Sequence, residues 1–161
     1  MENKHWYRSY FYIWTGQFIS LITSAAVNFS VIIWLSLHYK SAEVLAFAAI
    51  AGLLPQALIG PFAGVFIDRW DRKKVMIFAD AFIALCTLLM TFVLDDGGGQ
   101  LLLIYLLLGC RSVGSAFHAP AMQAIAPLLV PEKELLRVSG VNQMLQSISS
   151  IGGPALGTLA I

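Results

Sequence analysis

Charge is scarce in this sequence. Only 12% of its 161 residues are Asp, Glu, Lys or Arg, about half the share of an ordinary soluble domain. Too few charges remain to solvate a globular surface, and 58% hydrophobic residues with a mean hydropathy of +0.78 leave a membrane protein. Cysteine is scarce too. Cys86 and Cys110 both fall inside apolar runs, which argues against a disulfide framework and reads as two small buried side chains. No phosphate-binding glycine loop with lysine and serine occurs, no HExxH pair and no Gly-x-Ser-x-Gly elbow. An ATP-driven pump or a membrane protease is therefore unsupported, the chain is not expected to be an enzyme, and no cofactor is implied. The basic residues are few and set between apolar runs, which makes a nucleic-acid partner improbable.

What the sequence does have is long apolar blocks, at about 11–37, 44–67, 75–94, 101–122 and 138–161. Each is about twenty residues or more, enough as a helix to cross a hydrocarbon core of about 30 Å. The expected fold is an all-α membrane protein with four whole spans and one incomplete one. Lys4 and Arg8 ahead of the first block resemble a secretory signal, but the block is too long and no small-residue cleavage site follows, so a retained span is expected. The last residues, Gly-Pro-Ala-Leu-Gly-Thr-Leu-Ala-Ile, are still apolar, as in a fragment of a longer protein.

The connections carry most of the charge: Lys40 and Glu43, then Asp68 to Lys74, then Asp95-Asp96-Gly-Gly-Gly, then Pro131-Glu-Lys-Glu. A cytoplasmic N-terminus puts Lys4, Arg8, Arg69, Arg72, Lys73, Lys74, Lys133 and Arg137 inside, eight of the ten basic residues. That asymmetry orients helices during insertion. A multi-pass protein of the cell membrane is expected, the inner membrane of a bacterium, with the lipid bilayer as its first partner.

The second connection is the most informative. Gly60, Pro61 and Gly64 bring the second block down with little side-chain bulk, which lets a neighbouring helix come close. Asp68 then can accept hydrogen bonds from the free N–H groups of the next helix, or pair with an arginine. Arg72, Lys73 and Lys74 can anchor the third span against anionic head groups. A plain topology-setting loop would account for the charges. The spacing Gly64-x-x-x-Asp68-Arg69-x-x-Arg72-Lys73-Lys74, between the second and third spans, resembles the signature loop of the major facilitator superfamily, departing at Asp71 where the common pattern has glycine. In the form DRWDRKK it is similar to the branch of macrolide-efflux-type and enterobactin-exporter-type proteins. The resemblance implies a helix bundle of which this chain holds about five N-terminal helices of twelve, residues 1–161 being part of one six-helix half. It also implies that Asp68, Arg69 and Arg72 latch one access state against a neighbouring helix.

Ser149, Gly153 and Gly157 follow at i, i+4 and i+8 and make one small-residue face, with Pro154 favouring a bend. Physically this is a packing face; by place it resembles the exporter motif of the superfamily's fifth helix, with Ser149 and Thr158 in place of glycine. Arg111 sits near mid-membrane, where a charge is costly unless it meets a cavity or a partner. It either ties helices together through backbone carbonyls or serves transport, and Arg111-x-x-Gly114 partly resembles the fourth-helix motif whose arginine is linked to proton transfer. Ser115 and His118 share its face. Asp80, about 7 Å inside the third span, either neutralises Lys73 or Lys74 or takes up protons. Gln17, Ser20, Ser24 and Asn28 form a polar stripe that either lines a watery path or bonds to neighbouring helices. Trp6 to Trp14 read as an interfacial aromatic belt.

The implied function is secondary transport, the proton-coupled efflux of a small amphipathic organic compound such as a macrolide, completed by the missing C-terminal helices. A siderophore or metabolite exporter of the same superfamily, and a non-transporting remnant or assembly partner, stand as alternatives. The first two require about seven further spans.

Overall fold

The structure, a computed structural model, describes residues 6–95 and 100–159. Met1 to His5, most of the Asp95 to Gly99 connection, and Ala160 and Ile161 lie outside the described residues. Its elements are α1 (Trp6–Tyr39), α2 (Ala42–Ile67), α3 (Arg72–Asp95), α4 (Leu101–Leu129), a 3₁₀ turn (Glu132–Glu134) and α5 (Leu135–Leu159). No strand occurs among the described residues, so the fold is all-α. Lipid demands this, because a helix satisfies its backbone groups within itself.

Helix and membrane span are not the same length. α1 has 34 residues, about 50 Å, and is already helical at Trp6, the first described residue, ahead of the expected span start near Phe11. α4 runs through Pro120 and Pro127 to Leu129, past the expected limit near 122. It stops where Pro131 forces the residue before it out of helical geometry. Among the described residues α1 to α4 are long and apolar enough to cross a membrane. The incomplete fifth span expected over 138–161 is not matched in hydropathy by α5, whose Asn142, Gln143, Gln146 and several serines dilute its apolar face.

The helix ends are closed by local chemistry. Lys40 adopts φ 48°, the left-handed turn that ends a helix, and its N–H reaches the Ser36 carbonyl at 3.1 Å. Ser41 then caps α2 by accepting from the Val44 N–H at 3.4 Å.

The chain divides into two compact units, Met1–Trp34 with Ile125–Ile161, and Leu35–Ala124. In the first, α1 and α5 touch backbone to backbone. A Cβ on Gly157 would stand 2.7 Å from the Ala26 carbonyl oxygen, and one on Gly153 would strike Ala25. The Ser30 hydroxyl donates to the Gly157 carbonyl at 3.1 Å and the Tyr10 hydroxyl to Asn142 Oδ1 at 2.9 Å. Trp6 and Tyr10 pack on a core of Ala126, Val130 and Val138, so this part of the expected aromatic belt is half-buried.

The second unit holds α2, α3 and most of α4. Pro55 has no N–H for the Ala51 carbonyl. Gly109 of α4 leaves that carbonyl room, with 3.8 Å to the place of a Cβ. The next N–H, of Gln56, donates to the Ser112 hydroxyl at 3.0 Å. α4 thus supplies polar cover at the proline step in α2, as apolar surroundings require. Outward side chains such as Leu53, Phe62, Val65, Phe78 and Phe92 are exposed, which suits a lipid solvent. Cys86 is buried, but Cys110 is exposed and not buried as expected; α4 turns it away from the packed side that holds Arg111.

Candidate functional site

Charged and polar groups collect at two places in the second unit. The first is the α2–α3 connection. Asp68 closes α2 and lies 3.6 Å from the Arg72 Nη2, largely exposed, a surface pair worth less than about 1 kcal/mol. Among the described residues Arg72 is its ion-pair partner, so the contact stays within the loop. The carboxylate that caps α3 is a different one. Asp71 Oδ1 accepts from the N–H groups of Lys73 at 3.0 Å and Lys74 at 3.3 Å. Here lies a physical reason for aspartate where the common pattern has glycine: it satisfies orphan donors at a helix start. Arg69, Lys73 and Lys74 stand exposed around it.

Among the described residues no helix comes close at Gly60 and Gly64. A Cβ on either would meet nothing within 4 Å. Gly60 instead borders an open groove of about 510 Å³ along α2 and α4, with Gln56, Pro61, Pro120 and Gln123 on its walls.

The second place is the facing sides of α3 and α4. Asp80, expected either to balance Lys73 or Lys74 or to take up protons, lies six to seven residues along α3 from those lysines. His118 lies across from it, its Nε2 3.2 Å from Asp80 Oδ1. The approach is not that of a hydrogen bond, since Nε2 has no hydrogen-bond partner among the described residues, so the attraction depends on the imidazole being protonated. Two turns toward the other end of α4, Arg111 is buried at 4% exposure. Its Nε and Nη1 have no hydrogen-bond partner among the described residues. Holding a guanidinium in that state is costly. Ser115 is partly buried between them, and Ser112, which the sequence reading did not single out, makes the bond to α2.

In the first unit, Ser149, Gly153 and Gly157 are all buried, with Gly153 and Gly157 against α1. The polar stripe of α1 lies roughly half a turn from the α5 contact at Ile22, Ala25, Ala26 and Ser30. Gln17 is buried, Ser20 and Ser24 are half-buried and Asn28 is exposed. Two groups that sequence patterns ranked alike, the small faces of α2 and α5, thus differ: one is open and one is closed.

The sequence model of the Major Facilitator Superfamily matches residues 13–161. Macrolide efflux protein A of Streptococcus pyogenes is 44% identical over 156 residues, covering 97% of this chain and 38% of that protein. Macrolide efflux protein A of Enterococcus faecalis is 45% identical over 119 residues, 74% of this chain and 36% of that protein. An uncharacterized MFS-type transporter of Bacillus subtilis is 32% identical over 104 residues, 65% of this chain and 24% of that protein. The chain thus spans well under half the length of these relatives. No solved structure matches it at a significant level.

Proposed function

Because this chain belongs to the major facilitator superfamily, a family of multi-pass membrane transporters, we propose that it forms the N-terminal part of a proton-coupled exporter of amphipathic compounds such as macrolides. Further helices, about seven, complete the two halves that rock around a midplane site.

Arg111 is the observation that carries this reading beyond the family name. A membrane protein that needed only packing at this point of α4 would place an apolar side chain there. A buried guanidinium with two unpartnered nitrogens is expensive and suits a site completed by something else: a substrate, a moving proton or a helix beyond this chain. Asp80 and His118 are protonatable groups that meet on the facing sides of α3 and α4, and we assign them the proton path. Protonation of the imidazole makes the pair attractive and holds α3 to α4; loss of the proton releases them, so a proton can be coupled to helix movement. The basic loop keeps the inner ends of α2 and α3 on the cytoplasmic side, where Asp68 and Arg69 are available to partners beyond this chain. The groove beside Gln56 and Gln123 offers an amphipathic wall of the kind a bulky organic compound needs.

The test is uptake of a labelled macrolide by susceptible cells that express the complete reading frame, extended beyond Ile161. Expression should lower accumulation severalfold, and a protonophore should restore it. Unchanged accumulation would refute macrolide efflux; lowered accumulation insensitive to the protonophore would refute proton coupling.

A further inference from the structure

A further cavity of the second unit, distinct from the groove beside Gly60, shares its rim with the α2–α3 connection described above. It has a volume of about 600 Å³ and runs between the start of α3 and the middle of α4. Its long walls are apolar: Val75, Phe78 and Phe82 on α3, Val113 and Phe117 on α4. Its floor is Gly114, where a Cβ would stand 2.7 Å from Ile83 Cγ1 and 3.3 Å from Phe82 Cδ1. Any larger residue there would press on Ile83 and Phe82 of α3. At one end the lining changes to Arg69, Trp70, Asp71 and Lys74.

We propose that this groove binds a single anionic phospholipid, its acyl chain between α3 and α4 and its phosphate on Arg69 and Lys74. Charge complementarity selects the occupant. The rim holds two cations and one carboxylate, and the carboxylate is engaged, because Asp71 Oδ1 faces the Lys73 and Lys74 N–H groups. What is left to meet a headgroup is positive. A cationic amphipath would be repelled there. From Lys74 to Phe82 the trough runs about 12 Å along α3, and its long walls are apolar. An acyl chain fits such a slot. Trp70, half exposed at the mouth, is the residue type that sits at the headgroup level. Basic pockets between membrane helices on the cytoplasmic side are suited to acidic lipids. The site does not depend on which compound is exported.

Native mass spectrometry of the delipidated full-length protein in detergent tests it. The protein is titrated with phosphatidylglycerol, with phosphatidylcholine of the same chains, and with glycerol 3-phosphate. One phosphatidylglycerol should bind well ahead of the others. Replacing both cations, R69Q with K74Q, should weaken it about 25-fold while leaving phosphatidylcholine unchanged. V113W should block both lipids, with helical circular dichroism unchanged. Phosphatidylglycerol carrying a mid-chain diazirine should label unsubstituted protein on residues 75–82 and 113–117. Equal binding of the two lipids, displacement of the lipid by glycerol 3-phosphate at equal concentration, or labelling elsewhere would overturn the proposal.

Discussion

Three carboxylates on two successive elements have three different jobs, and residue type alone does not separate them. Asp71 bonds to backbone at the start of α3, Asp68 pairs at the surface with Arg72, and Asp80 faces an imidazole inside the span. The first was legible in principle, since an aspartate two residues before lysines at the head of an apolar run is a capping pattern. The partner of Asp80 was not, because it comes from 38 positions further along the chain. Arg111 gives the sharpest test at this scale. If it serves transport, R111A should cut macrolide efflux more than tenfold while the melting temperature holds or rises, because a buried charge lacking partners at two nitrogens has been removed. R111K should keep part of the flux. Normal flux with a lowered melting temperature would assign Arg111 a tie between helices.

At the scale of elements, the helices are specified by apolar length and closed by a few residues: the left-handed Lys40, the Ser41 cap, the Asp71 cap and Pro131. The choice of which helices touch is made elsewhere. α2 and α5 both carry small residues four apart, yet only the α5 face is closed, against α1. Alanine at Gly157 should therefore be costly. Its gain in helix propensity of about 1 kcal/mol is opposed by a methyl 2.7 Å from the Ala26 carbonyl oxygen, and overpacking of this kind costs about 1–3 kcal/mol. Since that oxygen belongs to backbone and cannot turn aside, G157A should lower the melting temperature in detergent by several degrees. The matched G60A should leave it unchanged or raise it. Equal melting temperatures for the two variants would mean that α1 and α5 do not meet this closely.

Within the whole molecule this chain supplies five helices, and its relatives are more than twice as long. In the proposed exporter the loop from Gly64 to Lys74 is the surface left for helices beyond this chain, and Asp68 on it is mostly exposed and only weakly engaged by Arg72. D68N in the complete protein should reduce efflux from oriented vesicles at least fivefold with little change in expression; undiminished efflux would remove the latch from this account. The sequence by itself determined that the protein is helical and membrane-embedded, that one connection is basic, and that one arginine lies inside an apolar stretch. These follow from hydropathy and charge, which add along the chain and need no neighbour. Only the tertiary structure decided that Asp80 meets His118, that Ser112 covers the proline step of α2, that the α5 glycines pack while those of α2 stay open, and that a basic-rimmed trough lies beside Gly114. Each of these depends on the rotation and register of one helix against another, and a period of 3.6 residues states which side chains share a face without stating what that face will meet.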